Sequence, residues 1–318
     1  MTEKQIRQRK AQFRRRERCI LCYSQNLVMI WEGSFQDPVL RAEIEKGCYS
    51  GDPLSYLENA TFQRKRCDEC GMTFQSDILT DDWLRVLYGE WISAHQIDSL
   101  EASRDFSALE TAQQNIKHCL RLKKMLGNAV SQPPRVLDFG CGDGSFLRAA
   151  SLLGFEAVGI DFSESRQERN RKLGAVSLYC DFDDLLKNSC TSNQFDAATL
   201  FQVLEHLAEP LETLKGIASQ LSTHGILIVE VPDCRGVGDV PTSADDYQMI
   251  DPLEHINHFT PDSLSLMAQQ AGFVPISAGV AYVSGRLKDV AKEVVAGLVR
   301  RSPLRTLRKS THQYFRKT

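Results

Sequence analysis

Between residues 134 and 283 the chain alternates short apolar runs with stretches of helical length. The runs are Val136-Leu137, Ala157-Val158-Gly159-Ile160, Val176-Ser177-Leu178-Tyr179, Ala197-Ala198-Thr199-Leu200-Phe201 and Ile226-Leu227-Ile228-Val229. Each suits a strand, and the intervening 145–154, 163–173, 209–221 and 261–271 suit helices. Repeated βαβ units of this kind build a mostly parallel sheet. Helix starts are visible at Ser163 before Glu164, and at Thr260-Pro261-Asp262, where proline fits the first helical position.

Ahead of this region, Asp81 and Asp82 can cap a helix carrying Trp83, Leu84, Val86 and Leu87, and Leu109, Ile116, Leu120 and Met125 continue the helical spacing. Gly127 and Pro133-Pro134 end that stretch. Beyond it, Leu287, Val290, Ala291, Val294, Val295, Leu298 and Val299 recur at threes and fours, which predicts an amphipathic helix stopped at Ser302-Pro303. Segment 281–285 is short for a further strand. The chain thus divides into a cysteine-bearing module over 1–80, a helical connector over 81–130, a sheet domain over 131–283 and a basic tail over 284–318.

Charge sharpens this division. The net charge of −3 conceals two basic ends: residues 1–18 hold eight Lys/Arg against two acids, and 286–318 hold ten against two. The basic C-terminal helix could lie on an anionic membrane surface at the inner face, or pack on the sheet or a partner. Arg14-Arg15-Arg16 lacks aromatic platforms beyond Phe13, which argues against nucleic acid. No run of eighteen apolar residues and no signal-like start is present, so a cytoplasmic enzyme is expected.

The chemistry concentrates in Asp138-Phe139-Gly140-Cys141-Gly142-Asp143-Gly144-Ser145. A strand ends in an acid, turns through alternate glycines and enters a helix. Glycine at 140, 142 and 144 removes side chains that would hold a ligand off the main chain and permits unusual backbone angles. Such turns lie at the carboxyl ends of strands in doubly wound sheets. Asp161, at the tip of the next strand, is placed to accept ribose hydroxyls. Dinucleotide enzymes share this logic but read G-x-G-x-x-G, whereas this chain reads G-x-G-x-G.

These residues resemble the motifs of class I S-adenosylmethionine-dependent methyltransferases, over about 134–280. The resemblance implies a Rossmann-like, doubly wound α/β fold with a mostly parallel sheet, and S-adenosyl-L-methionine held by Asp138, Gly140, Gly142, Gly144, Asp161 and Phe162. It further implies that Asp181 accepts from the adenine amino group, with Phe182 covering the ring and Phe201 lining the site. Leu200 to Leu207 matches the strand-four motif, and His224-Gly225 followed by Ile226 to Val229 matches strand five.

Methyl transfer needs positioning and, for some acceptors, a base. Candidates are Glu205, His206, His255 and His258. His206 is the first choice because imidazole titrates near neutral pH, although Leu-Glu-His-Leu can also cap a helix or shape a pocket. A Glu-His pair resembles the metal-binding element of catechol-type and RNA-terminal methyltransferases, but the further glutamate of that element is replaced here by neutral Gln202, which argues against metal-dependent transfer. Strand five ends as Glu230-Val231-Pro232-Asp233, unlike enzymes that methylate base amino groups.

Cys19-Ile20-Leu21-Cys22 and Cys67-Asp68-Glu69-Cys70 provide four thiolates at spacings that suit one tetrahedral structural Zn2+. Forty-four residues separate the pairs, including Cys48. The second pair and the following Leu87-Tyr88 resemble bacterial methyltransferases with an amino-terminal zinc ribbon, which act on deoxysugars and surface-polysaccharide or antibiotic precursors. The expectation is a small-molecule, sugar-type acceptor methylated at oxygen or an activated carbon. An RNA-modifying or RNA-binding zinc protein, and a non-catalytic cofactor-binding scaffold, are the alternatives.

Overall fold

The computed structural model describes residues 10–47, 49–92, 105–127, 133–172, 178–188, 194–278, 281, 294–295 and 310–318. The chain enters through β1 (Phe13–Arg15) and β2 (Leu27–Ser34), makes helices over Pro38–Lys46 and Pro53–Tyr56, and returns through β3 (Thr61–Cys67), β4 (Thr73–Gln75) and β5 (Asp77–Leu79). A helix over Asp81–Val86 widens into a π turn over Leu87–Trp91. Its N-cap position is Thr80, with Asp81 and Asp82 inside the first turn, where their charges favour the positive end of the helix dipole.

The helix Asp105–Leu126 leads to β6 (Arg135–Phe139), β7 (Glu156–Ile160), β8 (Leu178–Tyr179), β9 (Phe195–Phe201) and β10 (Leu221–Pro232). Between these strands lie helices over Ser145–Leu152, Glu164–Lys172, Phe182–Asn188 and Pro210–Gln220. Helix Ala244–Ile250, β11 (Asn257–His258), helix Pro261–Gln270, β12 (Phe273–Ile276) and β13 (Ser310–Lys317) follow. Ser263 N–H donates to the Thr260 hydroxyl at 3.1 Å, so the helix after Pro261 has a side-chain cap. Among the described residues no helix is long and apolar enough to cross a membrane.

Two compact units result. The first groups the described residues of Met1–Ser103 with Glu205–Pro210 and Pro232–Leu264, so the expected 131–283 domain gives two pieces to it. Its four-stranded sheet has the order β11-β4-β3-β2, and β1 pairs with β5. Phe35, Phe62, Trp83, Trp91, Ile250 and Leu253 belong to its core. The buried Arg16 guanidinium binds the later segment to the earlier one, donating to Asn257 Oδ1 at 2.7 Å and to the Ile256 carbonyl at 2.6 Å. A guanidinium is suited to this because its five donors can serve several carbonyls at once.

The second unit is a Rossmann-like α/β sheet, with the order β12-β13-β10-β9-β6-β7-β8. Strand pairs β10/β9, β9/β6, β6/β7 and β7/β8 are parallel, while β12/β13 is antiparallel. The central strands are buried on both faces, which is why they read as continuous apolar runs. Val136, Ala157, Ala197, Ile226 and Ile228 meet Leu122, Phe146 and Leu147 in its core.

The carboxyl-terminal segment corrects one expectation. The sequence marked no strand in 284–318, expecting there a helix that stops at Ser302-Pro303, yet Ser310–Lys317 is a strand. Its Phe315 is fully buried, and β13 finds its backbone partners in β12 and β10. Apart from Val294 and Val295, the residues carrying the expected helical stripe lie outside the described residues, as does Cys48. Val176 and Ser177, expected in β8, lie outside them too.

Candidate functional site

In the second unit, β6 delivers the chain to the glycine turn at the carboxyl end of the sheet. Gly140 N–H and Cys141 N–H both donate to the Ile160 carbonyl, at 2.7 and 3.0 Å, fastening the turn to the end of β7. Gly140 and Gly144 are demanded by protein neighbours. A Cβ on Gly140 would lie 2.4 Å from Val203 Cγ2, and one on Gly144 would lie 2.7 Å from Asn170 Oδ1. Gly142 differs: at φ +51° its missing Cβ points into open space, with nothing within 4 Å. Of the three turn glycines, it alone has open space on that side.

Asp161 supports that apex. Its Oδ2 accepts from Gly142 N–H and its Oδ1 from Ser163 N–H, each at 2.9 Å. Burial raises its pKa, opposed by the Ser163 amide, the Arg166 guanidinium and the Gly142 amide. A carboxylate has about four lone-pair positions, so both oxygens retain capacity for ligand hydroxyls. Asp138 is buried beneath, accepting from the Thr199 hydroxyl at 2.6 Å, and burial pushes its carboxyl up to about 7.

The residues expected around adenine are placed as follows. Phe182 packs against Phe139 with ring centroids 5.2 Å apart, and exposed Asp181 accepts from Asp184 N–H at 2.8 Å at the start of the following helix. Phe162, 55% exposed, leaves an apolar ring in solvent just after Asp161. Phe201 turns inward instead, with ring centroids 5.2 Å from Phe146 and 4.9 Å from His118. Thr199, Val203 and Asn170 were not legible as site residues, since nothing in their local pattern shows that they abut Asp138, Gly140 and Gly144.

In the first unit, Glu205, His206 and His255 converge, with one ligand atom of each lying within 4.8 Å of the others. His206 Nδ1 lies 2.9 Å from the Glu254 carbonyl, and His255 Nδ1 lies 2.8 Å from the Met249 carbonyl. A carbonyl only accepts, so in the neutral form of each ring Nδ1 carries the proton and Nε2 the lone pair. The Nε2 of His206 is 3.7 Å from the buried Glu205 carboxylate. This arrangement suits a proton acceptor, and it also matches how backbone partners orient metal-binding imidazoles. Gln202 is not needed for the group: its amide donates to Glu230 Oε1 at 3.0 Å.

Tyr88, whose hydroxyl is 3.1 Å from His206 Nδ1, and Tyr49, which donates to Glu254 Oε1 at 2.8 Å, complete this cluster; the motif holding Leu87-Tyr88 gave Tyr88 no role here, and Tyr49 had no motif to reveal it. His258 is not brought into it. Fully buried in β11, it accepts at Nδ1 from Arg64 Nε at 3.3 Å. Burial, then the Arg64 charge, holds its pKa well below the ordinary value, so it remains neutral. It is a core residue of the sheet and not an acid–base group.

The four cysteines meet in the same unit, with all four Sγ atoms within 4.8 Å of one another. Cys19 lies 3.5 Å from Cys70, and Cys22 lies 3.5 Å from Cys67, so each close approach links one pair to the other. A tetrahedral Zn2+ with bonds of about 2.3 Å sets sulfurs about 3.8 Å apart, which these positions fit. The two turns follow one backbone path. Tyr23 N–H donates to Cys19 O and Gly71 N–H to Cys67 O; Cys19 N–H donates to Ser24 O and Cys67 N–H to Met72 O. Tyr23 and Gly71 share positive φ. The forty-four intervening residues are taken up by β2, two helices and β3.

A family profile described as a methyltransferase domain matches residues 108–278. A ubiquinone biosynthesis O-methyltransferase of Actinobacillus pleuropneumoniae serotype 7 (strain AP76) is 31% identical over 101 residues, covering 29% of this chain and 43% of its own. One of the same name from Ruegeria sp. (strain TM1040) is 29% identical over 158 residues, covering 45% and 61%. The match thus spans less than two thirds of each relative. Among solved structures, the plantazolicin methyltransferase BpumL in complex with SAH aligns over 74% of this chain and 93% of its own, at 17% identity and a TM-score of 0.48.

Proposed function

The chain belongs to the methyltransferase-domain family, and from that membership we propose that it is an S-adenosylmethionine-dependent methyltransferase acting on a small-molecule hydroxyl. The observation that carries the reading is the Gly142 apex, bare toward solvent and buttressed by Asp161. When bound, S-adenosylmethionine supplies a methyl group on a positively charged sulfur. In this reading Gly142 and Asp161 receive its amino-acid and ribose portions, Asp138 fixes the base of the turn, and Phe162 and Phe182 flank its adenine.

His206 receives the acceptor's proton at Nε2, with Glu205 stabilising the imidazolium and Glu254 O fixing the tautomer. His255 orients the acceptor beside it. Oxygen is preferred over carbon because relatives matched over part of their length are named O-methyltransferases. The sugar-type acceptor rests on the cysteine module, whose four thiolates hold a structural zinc in this reading. Calorimetry with S-adenosylmethionine and S-adenosylhomocysteine tests the cofactor: one site per chain is expected, and no heat with either, while a nicotinamide nucleotide binds, overturns the proposal. Transfer of a labelled methyl group to a panel of sugar nucleotides and phenols identifies the acceptor.

A further inference from the structure

A second histidine group, which no motif marks, lies within the sheet unit. His118 comes from helix Asp105–Leu126, Glu230 from β10 and His312 from β13. One ligand atom of each falls within 4.8 Å of the others. His312 Nε2 is in direct contact with Glu230 Oε2, and the two imidazoles stack with centroids 5.5 Å apart. His118 is buried; Glu230 and His312 are half-buried, so the group is sheltered but reachable.

The surroundings orient these side chains. His118 Nδ1 lies 2.8 Å from the Tyr314 hydroxyl, which also accepts from Arg121 Nη1 at 3.1 Å. Gln114 Nε2 lies 3.0 Å from His118 Nε2. An amide nitrogen only donates, so His118 keeps its lone pair at Nε2 and gives its Nδ1 proton to Tyr314. That is the tautomer a metal-binding imidazole needs, with its other nitrogen tied to a second partner. Gln202 Nε2 likewise anchors the far oxygen of Glu230 at 3.0 Å.

We propose that His118, Glu230 and His312 form a binding site for a divalent transition cation of the zinc class, separate from the cysteine quartet. Two imidazoles and one carboxylate are a ligand set such ions accept, and three protein ligands leave a coordination position open. The cation would take the place of the Gln114 amide hydrogen at His118 Nε2 and of the proton that His312 Nε2 shares with Glu230 Oε2, that proton passing to solvent. The site sits at the carboxyl ends of β9 and β10, the same sheet edge as the glycine turn after β6.

The test is calorimetric and spectroscopic titration of the purified full chain with Co2+, after its cysteine group has been loaded with Zn2+. One further equivalent is expected, with visible absorption lacking thiolate charge transfer. His118→Ala and His312→Ala should each weaken it at least tenfold while leaving zinc content and S-adenosylmethionine binding unchanged, which shows that the variants fold. His255→Ala should retain it. Absence of the extra equivalent, its persistence in the double His118→Ala/His312→Ala variant, or its loss in His255→Ala overturns the proposal. Failure of the wild-type chain to take up S-adenosylmethionine would instead remove the methyltransferase reading and leave the cobalt result standing.

Discussion

Gly142 N–H donates to Asp161 Oδ2 across 2.9 Å, joining the apex of the glycine turn to the acid at the end of the neighbouring strand. The same carboxylate holds Ser163 N–H, so one side chain organises the entry to two successive helices.

Asp161→Ala therefore leaves two amides without their acceptor, at about 1–3 kcal/mol for each that stays buried. S-adenosylmethionine affinity should fall at least about tenfold, or about 1.4 kcal/mol, as read by calorimetry. Unchanged affinity in a folded variant would remove Asp161 from the cofactor site.

The three turn glycines should separate by measurement. Gly140→Ala places a Cβ against Val203 and keeps a residue at φ +74°, so thermal stability should drop, with a strain cost of about 1–3 kcal/mol. Gly142→Ala meets no neighbour, so it should lose less stability and more cofactor affinity. Equal effects on both quantities would contradict the assignment of Gly142 as the ligand-facing position.

Stability should depend on pH through Asp138. Its folded pKa of about 7 lies above the unfolded value of about 3.9, so the folded state binds the extra proton between them. The contribution is full below the unfolded value and is lost as pH rises through about 7. The thermal midpoint of the cofactor-free chain should fall from pH 5 to pH 8, and Asp138→Asn should flatten that slope. A wild-type slope rising over this range would be the contrary result.

The cysteine quartet should hold one zinc per chain by elemental analysis. Cys67→Ser should release it and lower the melting temperature of the first unit, because the sulfur that joins the β3–β4 turn to the Cys19–Cys22 turn is lost. Full metal content in that variant would exclude Cys67 as a ligand.

His206→Ala should lower kcat by about 10²–10⁴-fold, the usual contribution of a positioned base, with cofactor affinity retained. His258→Gln should leave the pH profile of activity in place. A profile shifted by His258→Gln and untouched by His206→Ala would reverse the two roles.

Much of the sheet was readable because its signals are local. The runs at Val136, Ala157, Ala197 and Ile226 became β6, β7, β9 and β10, since strands buried on both faces need uninterrupted apolar residues. Thr260-Pro261 marked a true helix start for similar reasons. β13 was missed because its Ser310-Thr311-His312-Gln313 opening is polar, and its stability comes from pairing with strands remote in sequence.

By itself, the sequence determined the order of β6 to β10 and most of the helices between them, the glycine turn with its flanking acids, and two cysteine pairs able to face one ion. These follow from steric and hydrogen-bonding preferences over a few neighbouring residues. Only the tertiary structure decided that 205–210 and 232–264 fold with the N-terminal segment, that His258 is buried against Arg64 while His206 joins His255, and that His118, Glu230 and His312 meet. Such meetings depend on which distant surfaces exclude water together, and no local pattern records that choice.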